Sequence, residues 1–188
     1  LHSNAWRWPY TLGDHVEVLT QTTDIPVLVL PRVDHVAWTN SITDTDTVMA
    51  ITDHLTGDDR LVNVAAALTH ADGTLHLAHV EDERAFNHFM DVISKLPFIP
   101  TDEARDGIHR RLLQEPTDYI RTCREALVAA EVKLTLKEIV RVGHHLNEFK
   151  QLIKEHSVDL LVMNSKDESQ RAMHRLAYPL AVELRATP

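Results

Sequence analysis

Residues 157–165 read Ser-Val-Asp-Leu-Leu-Val-Met-Asn-Ser. Val158, Leu160, Leu161, Val162 and Met163 form a short apolar run between polar flanks. That pattern is a strand buried on both faces, as in a parallel sheet. Such a strand delivers its next loop to the ligand crevice at the carboxyl edge of the sheet. Here the loop is Asn164, Ser165, Lys166, Asp167, Glu168, Ser169 and Gln170, with no glycine. A loop that wraps phosphates closely needs glycine, so that bare backbone can approach the anion. The chain reads as a nucleotide-binding scaffold without its phosphate-gripping part.

Outward from this run, strands and helices alternate. Residues 48–53 (Val-Met-Ala-Ile-Thr-Asp) read as a strand ending in a polar loop. Asp58 or Asp59 caps the next helix, whose apolar stripe is Leu61, Val62, Val64, Ala65 and Leu68. Gly73 is its natural stop. Residues 74–80 (Thr-Leu-His-Leu-Ala-His-Val) are a second strand, completing a βαβ unit. Residues 83–95 read as a helix stopped by Pro97 and Pro100. Residues 101–114 and 116–130 are two helical segments, or one helix broken at Glu115 and Pro116. Residues 132–140 are a third strand, and Gly143, His144 and His145 a turn. Residues 146–156 form a helix with Leu146, Phe149, Leu152 and Ile153 on one face. Residues 168–185 form a last helix, kinked at Pro179. The alternation defines a doubly wound α/β fold with a mostly parallel sheet.

At the other end, residues 12–22 read as a helix and residues 25–30 (Ile-Pro-Val-Leu-Val-Leu) as a strand. Residues 1–31 thus look like the tail of a preceding α/β unit, 32–47 like a linker, and 48–188 like a second unit without its closing strand. The expectation is a fragment or a processed chain.

The sequence resembles the universal stress protein family. The matching stretches are 48–53, 73–80 and 158–163, with an Asp closing the first strand and residues 25–30 as a detached closing strand. The resemblance implies a five-stranded sheet of the adenine nucleotide alpha hydrolase type. It also implies frequent dimers or tandem pairs, and ATP or AMP binding in some members. The ATP-binding branch carries Gly-x2-Gly-x9-Gly-(Ser/Thr) after its fourth strand. Here the first glycine position is Asn164, and no glycine occurs through Ala177. No ATP or other cofactor is therefore expected. Asp53 matches the family's acidic residue near the adenosine, and it can equally cap its own loop.

Composition narrows the partners. Lys and Arg number 19 against 28 Asp and Glu, a net charge of -9 with no basic cluster. That balance argues against nucleic acid and against an anionic membrane surface. No apolar run approaches the ~20 residues of a membrane span. The single cysteine, Cys123, forms neither an internal disulfide nor a thiolate cage, which points to a reducing cytoplasm and a small buried side chain.

Thirteen histidines are many for this length, and several fall at carboxyl strand ends. Asp53, His54, His79, His145, Asn164 and Ser165 are the candidate crevice, with Glu81, Asp82 and His144 beside them. Such a cluster suits zinc or a phosphate. The spacing speaks against a metal, because His76 and His79 face opposite sides of a strand and His144 and His145 diverge. Solvated loop histidines are the plainer reading. Asp53, His145 and Ser165 list an acid, a base and a nucleophile, yet no nucleophile elbow presents Ser165. No catalytic residue is assigned, and the chain is not expected to be an enzyme. Trp6, Trp8 and Tyr10 read as interface anchors, and Phe86, Phe89 and Met90 as a lid over the crevice or as core.

The expectation is a non-catalytic, ligand-sensing or protein-interaction domain of the stress response. It pairs with a second copy or a neighbouring domain through Pro26, Val27, Leu28, Val29 and Leu30, in cis or across a dimer. The alternatives are an adenine-nucleotide binder with a degenerate loop, using Asn164, Ser165 and Ser169 on phosphate, or a regulatory domain of a transporter or kinase.

Overall fold

A computed structural model of the chain describes residues 12–23, 25–29, 45–51, 59–96, 101–165 and 176–184. It divides into two units, Leu1–Asp44 with Met163–Pro188, and Thr45–Val162.

The larger unit is built on apolar runs too short for helices. β1 (Thr47–Ile51) and β2 (Thr74–Asp82) are joined through α2 (Asp59–Leu68), the expected βαβ unit. β2 leads straight into α3 (Glu83–Ile93), then α4 (Thr101–Ala129), β3 (Thr135–Gly143), α5 (His145–Glu155) and β4 (Leu160–Met163). The sheet order is β3-β2-β1-β4, and the β1–β2 and β2–β3 pairs are parallel. Alternation along the strands splits the core into two faces. Val48, Ala50, Leu75 and Leu77 pack against Leu61, Val62 and Ala65 of α2 and Ile120 and Cys123 of α4. The opposite face takes α5, whose Phe149, Leu152 and Ile153 are buried. A fully buried Phe149 stabilises the fold by roughly 1.5–3 kcal/mol.

The amino ends of the strands are stitched together. Thr74 donates its N–H to Asp46 O at 2.7 Å, Thr135 to Gly73 O at 2.8 Å, and Asp159 to Thr47 O at 2.9 Å. The Asp159 carboxylate accepts the N–H of Thr47 at 2.9 Å.

Several expectations are corrected. Residues 25–29 form no strand, and Ile25, Leu28 and Val29 are 75%, 65% and 43% exposed. An extended segment becomes a strand only with a ladder partner, and the described sheet accordingly has four strands, not five. β4 lies at an edge of the described sheet and is half-buried along its length, not enclosed; β1 and β2 are the enclosed strands. α4 continues through Pro116, which is buried. A proline inside a helix costs ~3 kcal/mol, and the packing of Ile120 and Cys123 beyond it offsets that cost. β3 starts at Thr135, not Val132, because Glu131 takes a positive φ of 54° and Val132 donates back to Leu127 O at 3.1 Å. That backbone bond closes the helix and uses up the chain. Gly143 ends β3 and is not part of a turn.

The smaller unit contains α1 (Asp14–Thr22) and α6 (Ala177–Glu183). Tyr178 Oη donates to Glu17 Oε1 at 2.8 Å, joining them. Residues 168–175 of the expected last helix lie outside the described residues.

Candidate functional site

β2 and β3 end level with one another, with Asp82 opposite Gly143. Each hands over to a helix at once, α3 at Glu83 and α5 at His145. The Asp82 carboxylate accepts the N–H of Arg84 at 2.8 Å and so caps α3. One residue earlier, Glu81 turns to the other face and meets His79, Oε2 to Nε2 at 3.3 Å. His79 is buried and Glu81 half-buried, so the pair is sheltered.

Val142 is the ladder partner of Glu81, and it floors an open cleft of about 420 Å3. The walls are Glu83, Phe86 and Asn87 of α3 and Arg105, Asp106 and His109 of α4. Phe86 organises this wall. Its edge meets the His109 ring at 5.5 Å between centroids and 76°. The Arg105 guanidinium lies 5.6 Å from its centroid, a cation–π contact of ~0.5–1 kcal/mol when exposed. The cleft thus offers an aromatic wall, charges of both signs and an imidazole. Among the described residues no cysteine or serine lines it. Among the described residues no group of three or more His, Cys, Asp or Glu could hold a metal ion.

Asp53 and His54 lie outside the described residues. His79 and His145 stand at the carboxyl ends of β2 and β3, as expected, and His79 finds Glu81. Asn164 and Ser165 belong to the other unit. The plain reading of solvated loop histidines fails for His79, which is 6% exposed. His76 stacks on His156, 4.4 Å between ring centroids, while His79 pairs with Glu81. Phe86 and Met90 are buried but Phe89 is exposed, so the aromatic cluster serves both core and cleft.

Sequence reasoning missed Arg105, Asp106 and His109. Their i, i+3 and i, i+4 spacing on a helical stretch was the available signal. Nothing in the spacing says that α3 packs beside them. Cys123 matches its expected role. Burial raises its thiol pKa, with Tyr119 hydrogen-bonded to it. The Tyr119 hydroxyl is raised as well, chiefly by burial, and donates to Asp59 Oδ1 at 3.3 Å.

A parallel sheet with helices on both faces defines the doubly wound α/β class. The family model of the universal stress proteins matches residues 45–176, most of the chain. The chain belongs to the universal stress protein family. Among solved structures it is similar to the hypothetical protein MJ0577, at 16% identity and a TM-score of 0.56, covering 73% of this chain and 89% of that one. It also matches Rv1636 from Mycobacterium tuberculosis H37Rv, at 22% identity and a TM-score of 0.44, covering 78% and 92%. At such identities the likeness to MJ0577 is one of fold. No curated protein matches the chain in sequence. Among the described residues no helix is long and apolar enough to cross a membrane.

Proposed function

We propose that the chain is a non-catalytic sensing domain of the stress response, which acts by pairing with a second copy of itself through residues 25–29. The exposure of Ile25, Leu28 and Val29 carries this reading. Three large apolar side chains in an extended, ladder-free segment are a hazard unless another strand covers them. Val18 and Leu19 of α1, in the same unit, are exposed too and enlarge the apolar surface. The glycine-free loop after β4 supports the absence of a triphosphate clasp. The ligand to be read is then a small metabolite in the carboxyl-edge crevice, held without turnover.

Light scattering on the purified protein tests the pairing. Wild type is expected at twice the mass of one chain, and Leu28→Lys with Val29→Lys at the mass of one chain with an unchanged circular dichroism spectrum. A double variant that keeps the wild-type mass rejects the pairing. A thermal-shift series with ATP, AMP and divalent cations tests the ligand reading. Stabilisation by ATP at micromolar concentration would replace it with the nucleotide-binding alternative.

A further inference from the structure

Two histidines far from the carboxyl edge have an arrangement that the sensing reading does not use. His76 is near the amino end of β2, between Met49 of β1 and Lys137 of β3. It lies on the face opposite Leu75 and Leu77. α5 covers that face. Arg141, the ladder partner of Val80 on the same face, reaches Glu148 at 3.9 Å and Glu155 at 3.6 Å. The C-cap of α5 is His156, and its ring stacks on His76 with 4.4 Å between centroids and 32° between planes.

Two ring nitrogens in this stack, His76 Nδ1 and His156 Nε2, are buried without a hydrogen-bond partner. Buried polar atoms are nearly always satisfied, so an exception needs a reason. Neutral imidazoles tolerate stacking. Imidazolium rings repel each other, and a buried one has no water to solvate it.

We propose that His76, stacked on His156, is an acid-sensitive latch: neutral, it holds the last turn of α5 on the sheet, and protonated, it releases that turn. The released turn leads directly into β4, an edge strand, so the sheet loosens where it has one neighbour.

The surroundings oppose protonation. Burial is the largest cause that lowers the His76 pKa from 6.5 to about 4, followed by His156 and then Lys137. β1 contributes only uncharged Met49 beside His76. β3 contributes Lys137 and, further along, Arg141, which faces Glu148 and Glu155. The last turn of α5 adds Lys154 and Glu155, both exposed. Beyond it, the Asp159 carboxylate is engaged by Thr47 N–H. Among the described residues no carboxylate pairs with either ring.

The sign follows. A lowered folded-state pKa means that the unfolded chain takes up the proton first. The stabilisation is complete above 6.5 and is lost as pH falls towards about 4.

Urea unfolding of wild type and His76→Phe across pH tests the latch. Phenylalanine keeps a ring in the stack and removes the charge. Protonation of Glu148 and Glu155 is common to both proteins and cancels in the comparison. Between about pH 7 and about pH 4.5 the wild-type folding constant should fall about 60-fold more than that of the variant. Equal pH dependence overturns the latch. Should His76→Phe fail to fold, ring NMR of wild type decides. A His76 ring that stays neutral to about pH 5, then titrates together with loss of amide protection in α5, supports the latch. Titration near the ordinary 6.5 with α5 still protected overturns it.

Discussion

Three glycines give a graded test of the packing. At Gly73 an added Cβ would stand 2.9 Å from Asp46 O, 2.9 Å from His70 O and 3.1 Å from Thr69 Cγ2. Neither oxygen is free to retreat. His70 O accepts the N–H of Gly73 at 2.9 Å, and Asp46 O accepts that of Thr74 at 2.7 Å. Overpacking costs ~1–3 kcal/mol, and a weakened backbone bond adds ~0.5–1.5 kcal/mol. Gly73→Ala should therefore lose about 2–4 kcal/mol. At Gly143 the three atoms nearest the Cβ would all belong to the Glu148 side chain, the first at 2.6 Å. That chain can swing away, giving up a 3.9 Å contact with Arg141. Partly exposed ion pairs contribute ~0–1 kcal/mol, which bounds the loss in Gly143→Ala. At Gly107, inside α4, nothing lies within 4 Å of the added Cβ. Gly107→Ala should gain ~0.8–1 kcal/mol from helix propensity alone. Urea unfolding followed by far-ultraviolet circular dichroism reads all three, provided that the m-value stays constant. The packing argument is wrong if Gly73→Ala lies within about 0.5 kcal/mol of wild type, an ordinary surface effect, or if Gly143→Ala costs more.

Two further outcomes follow from the backbone and the thiol. Glu131 and Ser157 hold φ of 54° and 50°, each beside a backbone bond that closes a helix. Replacing either with glycine relieves ~1–2 kcal/mol of left-handed strain against a glycine entropy cost of ~0.5–1 kcal/mol. Calorimetry should show Tm rising by ~1–4 °C in each variant, and a fall in both would contradict the strain. Cys123 is buried and its thiol is raised by burial. An aromatic disulfide reagent should react only at the rate of unfolding, and prompt stoichiometric reaction of the native protein would refute its burial.

Much of the larger unit was legible because its signals are local. Leu75, Leu77, Ala78 and Val80 mark the second strand as apolar, and all four are buried in β2. The stripe of α5 buries Phe149, Leu152 and Ile153 as spaced. The failures depend on long-range partners. Pro116 signals a helix break locally, but core packing beyond it overrides the signal. Residues 25–29 have strand composition, but only a neighbouring strand could make them one. The cleft requires α3 to pack beside α4, and no periodicity encodes that pairing. His79 was misread for a different reason. A histidine inside a doubly apolar strand is buried by position, and the sequence already placed it there.

The two edges of the sheet divide the protein's work. At the amino edge each strand start is bonded to its neighbour's backbone, through Asp46, Gly73 and Thr47. Such bonds are lost together, so a disturbance there is felt as stability. At the carboxyl edge β2 and β3 run directly into α3 and α5, without an intervening loop long enough to absorb movement. The side chains that wall the cleft hang from α3 and α4 and leave the ladder intact when changed. Substitutions at Arg105 or His109 should therefore alter binding while the fold survives. α5 connects the two regimes, with His145 at the open edge and His156 at the stitched one.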